Sequence, residues 1–208
     1  MKKMKGKFIF FEGMDFSGKT TCLHRLSEIL KEKGIEHIIT REPGGSVIAE
    51  NIRKILLDPS GIDLSIEEQA FLFQVARSNH CRKIIQPALD KGIWVLSDRY
   101  IISSMVYQNE VIKILEQTAK QLNLIEPDYM IYASCGYETT IQRKGLRPDN
   151  NHLDDVYTQH YHKYAALFEH YACLLEDMSL TIDTNKPVEV TKQTLIDFVD
   201  KIIGDKNV

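Results

Sequence analysis

Residues 8–20 read Phe8-Ile9-Phe10-Phe11-Glu12-Gly13-Met14-Asp15-Phe16-Ser17-Gly18-Lys19-Thr20, and this stretch decides the fold. Four consecutive apolar residues have the length of a buried strand, and Glu12 and Gly13 end the run at once. From Lys19 the apolar spacing is helical over residues 19–33, closed by Gly34 in a C-cap role. Between strand and helix lies a complete G-x-x-x-x-G-K-[ST] pattern. Its two glycines let the backbone wrap closely around phosphate oxygens, and successive N–H groups with the helix N-terminus supply fixed positive potential. Lys19 reaches terminal phosphates, and the Thr20 hydroxyl is a ligand for Mg2+. The triphosphate-binding set is therefore Gly13, Met14, Asp15, Phe16, Ser17, Gly18, Lys19, Thr20 and Thr21.

Outward from this motif, short apolar runs at 7–12, 36–40, 93–98, 129–133 and 179–183 read as strands. Helical patterns at 67–91, 110–124, 154–176 and 187–203 lie between or after them. Such alternation predicts an α/β protein whose parallel sheet is covered by helices on both faces. No repeat and no Pro-, Gly- or Ser-rich linker divides the 208 residues, so 1–208 is expected to be one domain. The polar, Arg-bearing and turn-rich residues 142–155 are expected to form a surface lid.

The chain carries 26 Lys+Arg against 29 Asp+Glu, a formal net charge of -3, which gives no general reason to expect a nucleic-acid or membrane partner. Any polyanion must be met by local charge. No apolar stretch approaches membrane-spanning length, and Cys22, Cys81, Cys135 and Cys173 form no C-x-x-C pair, so a soluble protein of a reducing cytoplasm is expected. His160, His162 and His170 lack the i, i+4 spacing that places two metal ligands on one helix face. Tyr157, Tyr161, Tyr164, Phe168 and Tyr171 make a helical stripe, expected to pack in a core or a dimer contact.

Asp98 ends the uncharged run Trp94-Val95-Leu96-Ser97, so its carboxylate should emerge at the C-terminal edge of a central strand, where ligands gather in open α/β sheets. Beside a phosphate loop it is a second candidate for Mg2+. Arg99 follows it, and Arg41-Glu42-Pro43-Gly44-Gly45 follows the second strand. Arginines at two strand ends suggest a second anionic ligand.

These features resemble the thymidylate kinases of the P-loop nucleoside monophosphate kinase group. The resemblance rests on Phe11-Glu12-Gly13 through Lys19-Thr20-Thr21, Arg41-Glu42-Pro43-Gly44-Gly45, the Phe73 to Arg77 segment, Asp98-Arg99-Tyr100 with Ser104 and Tyr107-Gln108, and Pro127-Asp128 entering a strand. It implies a doubly wound, five-stranded parallel sheet with a short lid, and a homodimer. It implies ATP and Mg2+-dependent phosphorylation of dTMP to dTDP, with no nucleic-acid or membrane partner. Phe73 would stack on the base, with Arg77, Ser104 and Gln108 bonding it. Arg41 and Arg99 would hold the acceptor phosphate, with Glu42 and Asp15 near the sugar and the metal or its waters. The catalytic set is then Lys19, Arg99, Asp15 and the lid residues Arg143 and Arg147. Phe16 stands where some relatives carry a loop Arg, which turns attention to the lid. His152 occupies a lid position where relatives often carry Arg, and the segment after Gln108 lacks their Gly-rich stretch. The alternatives are a kinase for another nucleotide, a kinase for a nucleoside, whose hydroxyl would need a carboxylate base such as Glu12, or a degenerate nucleotide-binding regulator.

Overall fold

A computed structural model describes residues 6–58, 63–146 and 152–204. Five strands, β1 (Phe8–Glu12), β2 (His37–Arg41), β3 (Trp94–Asp98), β4 (Tyr129–Ser134) and β5 (Ser179–Asp183), form one sheet in the order β2-β3-β1-β4-β5. All neighbouring pairs are parallel. Central β1 is buried along its whole length, which is why it reads as an unbroken apolar run. Its side chains alternate across the sheet: Phe8 and Phe10 join one core, Ile9 and Phe11 the other.

Against the Ile9 and Phe11 face pack α1 (Lys19–Glu32), through Leu23, Leu26 and Leu30, and α10 (Val188–Gly204), through Leu195 and Val199. The opposite face is covered by α4 (Gln86–Asp90), α5 (Ile101–Tyr107) and α9 (Tyr161–Leu174), with Val106, Tyr164 and Phe168 in the core. Helices α2 (Val47–Leu57) and α3 (Ile66–His80) pack on one another, and α6 (Ile112–Gln121) lies against α3. Helices α7 (Tyr137–Gly145) and α8 (His152–Gln159) overlap the two ends of the predicted lid.

The doubly wound architecture is the one expected; several boundaries differ for physical reasons. The single helix read at 67–91 runs from α3 into α4 through a wide turn at Cys81–Ile85, where Gln86 N–H reaches the Cys81 carbonyl. Pro87 offers no N–H and its ring would crowd the carbonyl four residues back, so the widened turn accommodates it. The helix read at 154–176 breaks at His160 into α8 and α9. Residues 142–145 and 152–155 of the expected lid belong to α7 and α8 rather than to a loop. No helix among the described residues is long and apolar enough to cross a membrane.

Candidate active site

The loops after β1, β2 and β3 meet at the C-terminal edge of the sheet, tied by backbone bonds. Arg99 N–H donates to the Phe11 carbonyl and Glu42 N–H to the Asp98 carbonyl, each at 2.9 Å. The chain leaves β1 toward β2 on one side and returns to β4 on the other, so the crevice lies at the topological switch point.

In the β1–α1 loop, Gly13 has φ 137° and a Cβ there would lie 2.5 Å from the Ala133 carbonyl oxygen. Glycine is required by both conformation and close approach. Lys19, buried at the start of α1, donates to the Met14 carbonyl at 2.8 Å and lies 3.8 Å from Asp15. Burial, and then Arg99, lower its pKa, opposed by Asp15, Asp98 and Glu12. The Ser17 hydroxyl inside the same loop is buried without a hydrogen-bond partner among the described residues. Thr20 Oγ1 donates to Asp98 Oδ2 at 2.9 Å, which places the two expected metal ligands together. A hydroxyl and a carboxylate are hard oxygen donors, and Mg2+ commonly takes one or two such protein ligands and completes its shell with water and phosphate. This donor set fits it.

Arg99, at φ 72°, stands at the centre of the site. Its guanidinium donates to Asp15 Oδ1 at 2.5 Å, to Ser103 Oγ at 2.8 Å and to the Gly13 carbonyl at 3.2 Å, and lies over the Tyr107 ring. Burial favours a neutral Asp15, but Arg99 and then Lys19 outweigh it and hold this carboxyl below the ordinary aspartate range. Glu12 is fully buried and accepts from Tyr100 N–H, Ser103 N–H and Ser103 Oγ. Desolvation pushes its carboxyl pKa up, with Arg99 and these bonds opposing. Glu12 thus closes the N-terminus of α5 with both oxygens engaged.

Two hollows open here. A cleft of about 880 Å³ runs along the phosphate loop and includes Lys19, Thr20, Arg41, Asp98 and Arg143. A pocket of about 110 Å³ is lined by Phe73, Arg77, Ser104, Gln108, Tyr107 and Tyr157, among others. Asp15, Glu42, Arg53 and Arg99 line both. The expected base and phosphate residues are therefore contiguous, although they come from α3, α5 and three loops.

Individual placements add detail. Arg41 is half exposed and pairs with Glu50 at 3.1 Å. Glu42 is buried, its two oxygens meeting Arg77 and His80. Gln108 is buried and hydrogen-bonds Tyr157, whose ring stacks on Tyr107 at 3.8 Å. Arg143 donates to the Thr184 carbonyl and hydroxyl at 2.8 and 3.1 Å and to the Phe16 carbonyl, which anchors it beside the phosphate loop. Arg147 lies outside the described residues, as does the side chain of His152.

Sequence reasoning missed Arg53 and Tyr107, which line the hollows, and His80 and Gln74, which lie behind them on Glu42 and Arg77. Arg53 donates to the Pro43 carbonyl at 3.0 Å, and burial followed by Arg41 lowers its pKa. It sits on an amphipathic helix where an Arg reads as solvated, and no local pattern marks it. Of the aromatic stripe, Tyr161, Tyr164 and Phe168 are core residues, while Tyr157 also lines the pocket.

The family model for thymidylate kinase matches residues 11–195. The thymidylate kinase of Lactobacillus helveticus is 35% identical over 206 residues, covering 95% of this chain and 97% of its own. That of Caldicellulosiruptor saccharolyticus is 35% identical over 207 residues, with 97% and 98% covered. The crystal structure of thymidylate kinase from Ehrlichia chaffeensis superposes with a TM-score of 0.72 at 26% identity, over 94% of this chain and 98% of that one. With the motif matched from the end of β1 into α10, and relatives aligned almost end to end, this chain belongs to the thymidylate kinase family.

Proposed function

We propose that the protein transfers the γ-phosphoryl group of ATP to dTMP, giving ADP and dTDP. The observation that carries this reading is the junction of the two hollows: a phosphate-loop cleft and an aromatic, Arg-bearing pocket share Asp15, Glu42, Arg53 and Arg99. ATP occupies the cleft on residues 13–21. The thymine ring enters the smaller pocket against Phe73, with Arg77, Ser104 and Gln108 supplying polar contacts.

The acceptor oxygen of a nucleoside monophosphate is already anionic near neutral pH, so the chemical difficulty is repulsion between two polyanions, not deprotonation. Catalysis then rests on alignment and charge neutralisation. Lys19 exchanges the Met14 carbonyl for donor phosphate oxygens. Arg99, Arg41 and Arg53 hold the acceptor phosphate, and Asp15 keeps Arg99 in place. Arg143 stands at the donor end, with Arg147 as the second lid cation. Thr20 and Asp98 would hold Mg2+, which supplies charge neutralisation at the donor phosphates when bound. A nucleoside acceptor would need a free carboxylate base, whereas both Glu12 oxygens are committed to α5. We read residues 1–208 as one domain with a lid at about 142–155, acting in the cytoplasm.

A homodimer is part of the same reading; Phe71 and Val75 are about half exposed on α3 and suit a covered face. Light scattering should then give about twice the 24.0 kDa chain mass. ADP release measured with dTMP, dUMP, dCMP, dGMP and thymidine tests the activity. Turnover greatest with dTMP is expected, and turnover with thymidine alone would refute it.

A further inference from the structure

Arg77 is 2% exposed, and its surroundings dictate how it meets a ligand. Nε donates to Glu42 Oε2 at 2.7 Å, Nη1 to Gln74 Oε1 at 2.6 Å, and Nη2 to the Tyr100 carbonyl and Ser104 Oγ at 3.1 and 3.0 Å. A guanidinium has five N–H donors. Among the described residues one of them, on Nη1, has no partner. Its direction depends on the carboxylate that grips the other side of the fork.

That carboxylate is itself gripped. Glu42 Oε1 lies 3.0 Å from His80 Nδ1, and His80 Nε2 lies 2.7 Å from Thr40 Oγ1. The imidazole is wholly buried. An ionised carboxylate only accepts, so Nδ1–H donates to Glu42; in the neutral ring Nε2 then accepts the Thr40 hydroxyl. Gly45 lies over this contact, and a side chain there would collide with both His80 and Thr40. A second tie, Ser46 Oγ to Asn79 Oδ1 at 2.8 Å, fastens the same loop to α3 one residue before His80. Arg77 and His80 sit one helical turn apart on α3 and hold one Glu42 oxygen each.

Resting on the dTMP reading above, we infer that His80 is a positioning residue for the acceptor base. By holding Glu42 Oε1 it keeps Oε2 on Arg77, and so sets the direction of the one N–H that Arg77 has left to offer. It touches no substrate. Its loss lets the Glu42 carboxylate rotate and misaligns Arg77 in the base pocket, while the phosphate loop is untouched.

Two isosteres separate the two ends of the ring: Asn places its amide N–H near Nδ1, and Gln reaches the Nε2 end. With wild type, His80→Asn and His80→Gln, kcat and the KM for dTMP and for ATP are measured. His80→Gln should raise the dTMP KM about tenfold with the ATP KM within about twofold, and His80→Asn should stay within about threefold of wild type. In an Arg77→Ala background, His80→Gln should add no further loss, because the two act through one contact. Equal damage by both isosteres, a parallel rise in the ATP KM, or full additivity with Arg77→Ala overturns the inference. If His80→Gln does not fold, His80→Ala, which removes the bond to Glu42, takes its place beside His80→Asn with the same expected and overturning outcomes. A wild type inactive on dTMP overturns the functional reading as well; an active wild type with unaffected variants overturns this inference alone.

Discussion

Replacing Gly13 by alanine tests the close approach on which the phosphate loop depends. The added Cβ would lie 2.5 Å from the Ala133 carbonyl oxygen and 3.0 Å from Ser17 Oγ. An unstrained carbon–oxygen contact is about 3.3–3.6 Å, and neither side can yield cheaply. Ala133 is in β4, paired to β1 through Phe11↔Ile131 and Glu12↔Tyr132, and both strands are buried. Overpacking of this kind costs about 1–3 kcal/mol. The φ of 137° adds a further ~1–3 kcal/mol for a residue with a Cβ. Together these give about 2–6 kcal/mol, and at ~2–4 °C per kcal/mol for a chain of this size, a Tm lowered by roughly 4–24 °C. Gly34→Ala is the internal control: Gly34 also has positive φ, 69°, but nothing lies within 4 Å of the point a Cβ would occupy, so only the conformational cost remains. Thermal melts and ATP KM values for both variants decide the matter. Gly13→Ala should melt well below Gly34→Ala and bind ATP poorly; equal melting temperatures would refute the packing argument.

Three other outcomes are expected. Lys19→Ala should lower kcat by about 10²–10³-fold, as loss of one preorganised cationic donor does, with the melting temperature little changed; an unchanged kcat in single-turnover assays would remove Lys19 from the mechanism. Chelation by EDTA should abolish turnover and added Mg2+ restore it, and Thr20→Ala and Asp98→Asn should each raise the Mg2+ concentration needed for half-maximal rate. Burial raises the Glu12 pKa above 4.5, so between 4.5 and that raised pKa the folded protein binds more proton at this carboxyl than the unfolded chain does. Glu12 therefore costs stability increasingly as pH rises from 4.5 through its folded pKa. The melting temperature of Glu12→Gln relative to wild type should climb over that window, and a flat difference would show that Glu12 is not desolvated as described.

Much of this site was legible because its chemistry is local in the chain. The phosphate loop needs eight consecutive residues and one strand-to-helix transition, all visible between Gly13 and Thr20. Asp98 was legible because an uncharged run can end in only one place. The pocket residues were found through resemblance: Phe73 sits in an apolar patch that reads as core, and Ser104 and Gln108 carry no local signature. Helix α5 escaped notice because its N-terminal amides are satisfied by Glu12, 91 residues from Ser103 in the sequence. Helix α2 carries its own Ser46 cap, bonded to Ala49 N–H, but follows a Pro-Gly-Gly turn that reads as loop.

By itself the sequence determined the parallel α/β architecture, the triphosphate cradle and the strand end that carries Asp98, because apolar period, glycine placement and strand ends are properties of neighbouring residues. Only the tertiary structure decided which groups share a charge. It brought Arg53 to the junction of the two hollows, tied Arg143 to Thr184, closed α5 with Glu12, and set His80 behind Glu42 and Arg77. Such pairings depend on burial, where a charged group must find a partner or lose its charge, and that partner is chosen by the packing of the sheet rather than by distance along the chain.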